Sequence, residues 1–198
     1  MTGASILWRR LDLPGHDAAR LLREPGGWRL EGITAFASDA GPCALAYEVR
    51  LSTRWHTRSG RVTGWIGGRS VRLRIAAGGR GEWSLDGVPQ PTLDGCEDLD
   101  LSFTPATNLI PVRRLALEVG GAGTARAAWL RVPELTLESI TQTYERVTAG
   151  TYRYITAAGV FDRRLTVRPD GFVVDYPGLW RAEATIVPAD PQPVETGR

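Results

Sequence analysis

Gly95–Leu115 reads GCEDLDLSFTPATNLIPVRRL and continues directly into ALEVG. The way this stretch divides into elements decides the fold. Glu97, Leu99, Leu101 and Phe103 share one parity, and Asp98, Asp100 and Ser102 share the other, which is the period of a pleated strand. Two carboxylates, Asp98 and Asp100, are therefore expected on one strand face. Thr104-Pro105 and Thr107-Asn108 supply turn chemistry, after which the alternation resumes. Leu109, Arg113, Leu115, Leu117 and Val119 then fall on one face and Arg114, Ala116 and Glu118 on the other. The stretch predicts two strands joined by a turn, with Arg113 on a face of leucines. A guanidinium stays charged at ordinary pH. Arg113 must therefore meet a carboxylate such as Asp98 or Asp100, or line a wet cavity where its planar fork could hold a ligand's polar head.

Outward from this stretch the same rhythm recurs. Trp8 to Leu11 opens as a strand, and Pro14-Gly15-His16-Asp17 predicts a turn or cap before a short helix over Ala18 to Leu22. Trp28, Leu30, Thr34 and Phe36 share a strand face interrupted by Gly32, which predicts a bulge or bend. Leu45, Tyr47, Val49 and Leu51 alternate with Ala46, Glu48 and Arg50, and Val71, Leu73 and Ile75 alternate with Arg72 and Arg74. Leu137 to Val147 carries both helical and strand spacings and is read as a strand, while Asp170-Gly171 marks a hairpin. These runs predict an all-β fold with minor helix, built of antiparallel neighbours in one domain over residues 1–187. An echo of strand, Asp-Gly turn and strand around Asp86-Gly87 and Asp170-Gly171 fits either two fused pseudo-repeats, 1–105 and 106–187, or coincidence. The proline-rich polar tail, 188–198, is expected to be disordered.

Composition excludes several classes of function. A chain of 198 residues with 42% apolar and 23% charged residues has the makings of a globular core. The 24 basic residues, all arginine, against 22 acidic ones leave a net charge of +2, too little for a nucleic-acid partner. No run of about 18 apolar residues offers a membrane span, and the start MTGASILWRRLD has no secretory pattern. A cytoplasmic location is expected, with Cys43 and Cys96 as buried free thiols.

No motif calls for a cofactor or a metal. His16 and His56 stand far apart, the acidic run from Asp94 to Asp100 lacks a calcium-loop pattern, and the glycine-rich segments read as hairpin turns. The seven tryptophans and five tyrosines are spread along the chain, as core residues or as the lining of a shared interior. Trp65 falls on the strand face opposite Val62 and Ile66.

Five segments carry a family resemblance: WRRLDLPGHDAARL (8–21), TRSGRVTGW (57–65), the central stretch, QTYERVTAGTYRY (142–154) and DGFVVDYPGLW (170–180). Together they resemble the bacterial family called "putative glycolipid-binding", over about Trp8 to Ala184. The resemblance implies a large curved antiparallel sheet, a half-barrel or open barrel like that of periplasmic lipoprotein carriers, with a groove on its concave side. It also implies an amphipathic, glycolipid-like small molecule as partner and no catalysis. The head group would meet Arg113, Tyr144, Tyr154, Trp65, Asp98 and Asp100. Two other readings fit the residues. One is a hydrolase or isomerase using Asp98 or Asp100 with an arginine, and the other is an interaction module with an open sheet edge.

Overall fold

The computed structural model describes residues 3–79, 81–156 and 161–187. The expected tail, 188–198, lies outside the described residues. The first half is a run of hairpins: β1 (Ala4–Arg10), β2 (Gly15–Glu24), β3 (Gly27–Ser38), β4 (Gly41–Ser52), β5 (Thr57–Ile66), β6 (Arg69–Ala77), β7 (Trp83–Leu85) and β8 (Val88–Pro89). The central stretch gives β9 (Asp98–Leu101) and the helix α1 (Leu109–Leu115). Then follow β10 (Ala122–Leu130), β11 (Leu137–Arg146), β12 (Thr151–Thr156), β13 (Asp162–Val167), β14 (Val173–Tyr176) and β15 (Trp180–Ile186).

All fifteen strands form one sheet in the order β8-β7-β6-β5-β4-β3-β2-β1-β15-β14-β13-β12-β11-β10-β9. Neighbours are antiparallel throughout except β9 and β10, which run parallel because the chain crosses the interior through α1 between them. The first and last strands pair in the middle of the sheet. The sheet curves until its two ends approach without closing. The Thr57 N–H donates to the Glu97 carbonyl at 3.1 Å, the Gly95 N–H to the Gly81 carbonyl at 3.3 Å, and Arg69 Nη2 to the Pro133 carbonyl at 2.5 Å. The all-β, half-barrel expectation describes this architecture.

Inside the curve lies the segment Phe103–Val112, every residue of which is buried. Here the sequence reading needs correction, because Leu109–Leu115 is a helix and not a second strand. Leu109, Ile110, Pro111 and Val112 are all buried, and a first turn that is apolar all round shows no amphipathic period for the eye to find. Pro111 sits in the first turn, where the missing N–H costs nothing, and Arg113 and Arg114 occupy the last turn, next to the negative end of the dipole. The helix stops at Ala116, whose φ of 44° is left-handed. Residues 113 and 114 therefore differ by about 100° around a helix axis rather than pointing to opposite faces of a strand.

Two further expectations change. Ala18–Leu22 belongs to strand β2, with Asp17, Ala19 and Leu21 inward and Ala18 and Arg20 outward. Small alanines on both parities had hidden the alternation. Gly32 makes no bulge either, since its register with Ala19 and Tyr47 is continuous. A Cβ there would lie 2.4 Å from the Tyr47 hydroxyl oxygen, 2.5 Å from Tyr47 Cζ and 2.6 Å from the Ala18 carbonyl oxygen, so the glycine makes room for that ring and for the neighbouring strand's backbone. The Asp-Gly hairpins form as expected, Asp86 and Gly87 both taking positive φ between β7 and β8.

Candidate functional site

Facing residues follow from the register. On the core side, Ile6, Ala19, Gly32, Tyr47 and Val62 form one row across β1 to β5. This side is packed solid by α1 and by large side chains such as Trp8, Phe103, Tyr144 and Phe172. The hollow expected within the sheet is thus occupied by the protein's own central segment. The open volume lies on the other face.

On that outer face the row Ala184–Leu7–Ala18–Ile33–Ala46–Thr63 crosses six strands, β15 and β1 to β5. The adjacent row is Ile186–Ser5–Arg20–Glu31–Glu48–Arg61. Together they line an open trough of about 760 Å³. An antiparallel sheet with one face on the core ordinarily shows water a polar face. Here Ile33 is 65% exposed and Ile186 62% exposed, while alanines at three positions of the first row keep the floor low. The second row is charged across β2 to β5, and its Arg20, Glu31 and Glu48 are held in place by ion pairs. Arg20 meets Glu31 at 2.5 Å, Arg29 meets Glu31 at 2.6 Å and Glu24 at 2.7 Å, and Arg50 bridges Glu24 and Glu48 at 2.9 Å each. An apolar row beside a charged one makes the trough amphipathic over β2 to β5.

The six residues singled out from sequence are not brought together. Trp65 is on the outer face, 44% exposed, one row beyond the trough and opposite Ala44. Arg113 lies where α1 ends, its Nη1 donating to the Pro169 carbonyl at 3.2 Å and its guanidinium 4.9 Å from the centre of the Trp55 ring. It meets neither Asp98 nor Asp100. Asp98 is instead gripped by Arg114, Nε to Oδ1 at 2.8 Å and Nη2 to Oδ2 at 2.7 Å, while Glu97 takes Arg114 Nη1 at 3.0 Å. Burial pushes the Asp98 carboxyl up, and the Arg114 fork works against that rise. Asp100 is half-buried, accepts from Gln142 Nε2, and is pushed by loss of solvation up to about 6.

Tyr144 and Tyr154 are interior as well. The Tyr144 hydroxyl accepts from Asn108 Nδ2 at 2.9 Å, and the Tyr144 ring lies 5.1 Å from that of Tyr154, which in turn contacts Phe161 and Tyr176 edge-on. Burial raises both phenols above their ordinary range. A second enclosed carboxyl, Asp17, accepts from the hydroxyls of Tyr47 at 2.9 Å and Thr104 at 2.5 Å. Burial carries it to about 7 although both hydrogen bonds oppose the rise. Asp17 thus ties the sheet to the central segment. These carboxyls and the Tyr144 hydroxyl are each hydrogen-bonded to a neighbour within the fold: Asp98 to Arg114, Asp100 to Gln142, Tyr144 to Asn108 and Asp17 to Tyr47 and Thr104.

Sequence reasoning missed the trough. Its only trace was in outward positions of consecutive strands that are apolar or small where polar residues belong, as in Ile33 and Ala35 of β3.

Comparison with known proteins places this architecture. A crystal structure of a protein from Pseudomonas aeruginosa, of the domain-of-unknown-function family 1089, superposes with a TM-score of 0.74 at 33% identity, over 83% of this chain and 91% of that one. A β-barrel-like protein from Brucella abortus, of domain-of-unknown-function family 1849, shares the fold at a TM-score of 0.54 and 8% identity, over 92% and 96% of the two chains. No curated protein matches the chain. The family model described as "Putative glycolipid-binding" matches residues 5–182, and the chain belongs to that family.

Proposed function

We propose that the protein binds an amphipathic, glycolipid-like molecule without transforming it, and that the molecule lies in the outer-face trough. Its acyl part would rest on Leu7, Ala18, Ile33 and Ala46, and its hydroxylated or charged part on Arg20, Glu31 and Arg61. The observation that carries this reading is the pairing of an apolar row with a charged row in one open volume of about 760 Å³, within the size range of ligand sites. The family description is consistent with such a ligand. A hydrolase built on Asp98 or Asp100 finds less support. Asp98 is buried and Asp100 half-buried, and each is already paired, with Arg114 and with Gln142.

Native mass spectrometry of freshly purified protein, followed by lipid extraction, tests the reading when paired with Ile33→Glu. The expected result is a copurifying lipid on the wild type that falls at least about tenfold on the folded variant, as a charge on the apolar row demands. Lipid retained by Ile33→Glu would overturn the reading. So would an Ile33→Glu variant that drops from dimer to monomer with its lipid content unchanged, because a second copy would then be what covers this face.

A further inference from the structure

The end of the barrel where α1 terminates holds an opening of different chemistry. A cleft of about 320 Å³ is reached by Arg113 from the last turn of α1, Arg146 from the end of β11 and Arg168 from the turn after β13. No acidic residue is among those that line it.

The three guanidiniums are held chiefly by backbone. Arg113 Nη1 donates to the Pro169 carbonyl at 3.2 Å. Arg146 Nη1 and Nη2 donate to the carbonyls of Leu117 at 2.7 Å and Ala149 at 2.9 Å. Arg168 Nη2 meets Asp170 Oδ2 at 2.6 Å and the Ile186 carbonyl at 3.5 Å. Asp170 is the one carboxylate paired with this trio among the described residues. Elsewhere the pattern differs, since Arg20, Arg29, Arg50, Arg114 and Arg153 each meet a carboxylate directly. A carbonyl orients a guanidinium without cancelling its charge.

Two further features point to a ligand. Arg146 Nε and Arg168 Nη1 are buried with no acceptor, although the Arg168 side chain is only 13% exposed, and an unsatisfied donor on a charged group is costly. The stem of Arg113 is also wedged. A Cβ on Gly171 would lie 2.9 Å from both its Cγ and its Cδ, and Trp55 sits against its guanidinium on another side. The site is therefore positioned before anything enters it.

We infer that this cleft binds an oxyanion of the phosphate type, either as a free ion or as the phosphate of a lipid head group. An anion there would neutralise Arg113 and Arg146, the two guanidiniums of the trio that meet no carboxylate, and a small rotation of Arg168 would turn its orphan Nη1 onto it. The site shares no lining residue with the outer trough, so it stands or falls independently of the ligand proposed there.

Calorimetric titration of the full chain with inorganic phosphate at low ionic strength, and separately with a phosphate-headed lysolipid, tests the inference. Saturable binding is expected that weakens at least about tenfold in Arg113→Met and in Arg168→Gln, with thermal melting of Arg113→Met in the absence of phosphate near that of the wild type. Arg168→Lys, which keeps the charge and loses the fork, should fall between. Binding of phosphate alone identifies the free ion, and lysolipid binding competed by phosphate identifies the head group. No saturable binding of either probe, or binding unchanged in both Arg113→Met and Arg168→Gln while they remain folded, overturns the inference. Ile33→Glu should bind phosphate like the wild type, which separates this result from any failure of the trough.

Discussion

Arg114 and Asp98 face one another fork to fork, and the side chains are only 10% and 1% exposed. The neighbouring arginine, Arg113, takes no part in this pair and rests on Trp55 and the Pro169 carbonyl. The two residues should therefore answer differently to the same substitution. Arg114→Met strands a buried carboxylate and is expected to cost about 3–5 kcal/mol of stability, while Arg113→Met should cost less than about 1 kcal/mol. Urea denaturation of both variants gives the comparison, and equal losses would contradict the geometry.

Asp17 should make stability fall as pH rises. Its carboxyl moves from 3.8 to about 7 on folding, so between those values the folded chain holds a proton that the unfolded chain has lost. The stabilisation is complete below about pH 4, declines through the window and is gone above about pH 7. Asp17→Asn keeps an acceptor for the Tyr47 and Thr104 hydroxyls without the titration. The difference in stability between wild type and variant is expected to shift by roughly 2–4 kcal/mol in the variant's favour from pH 4 to pH 8. Urea midpoints at a series of pH values check this. A wild-type-minus-variant difference that stays flat would show that the carboxyl is ionised at all these pH values.

Gly32 makes room for the Tyr47 ring and also for the Ala18 carbonyl, whose oxygen a Cβ would approach to 2.6 Å. Gly32→Ala places a methyl against the Tyr47 ring and should cost about 1–3 kcal/mol, whereas Gly32→Ala combined with Tyr47→Phe should recover part of that, because the closest clash is with the hydroxyl oxygen. A double-mutant cycle by thermal melting measures the coupling. Strict additivity would mean that the Ala18 carbonyl, and not the hydroxyl of Tyr47, is what excludes a side chain at residue 32.

Cys43 and Cys96 are both free and buried, and burial pushes the Cys96 thiol up. Neither should react quickly with a thiol reagent in the native protein, and two thiols per chain should titrate once the protein is denatured without reductant. A titre of zero in the denatured chain would reveal a disulfide.

Most of the sheet was legible because half-buried antiparallel strands print a period of two, as in Leu45 to Leu51 of β4, and because Asp-Gly pairs mark their hairpins. Where both sides of an element are buried, that signal disappears. Leu109–Leu115 alternates by accident, and Pro111, poorly suited to a central strand, was the residue that argued against a strand there. The same misreading exchanged the roles of Arg113 and Arg114. The trough was illegible for a different reason, as it arises from the register of six strands separated by up to about 180 residues. No single strand shows more than one or two of its apolar positions.

The claim that the ligand lies on the outer face is tested most directly by photo-crosslinking. A glycolipid with a photoreactive group in its acyl chain is bound to the purified protein, irradiated, and the modified residues are located by peptide mass spectrometry. The account predicts adducts on Leu7, Ala18, Ile33, Ala46 and Ile186, the outward positions of β1 to β4 and β15. Adducts confined to core-facing residues such as Tyr47, Phe103 or Tyr144 would contradict it.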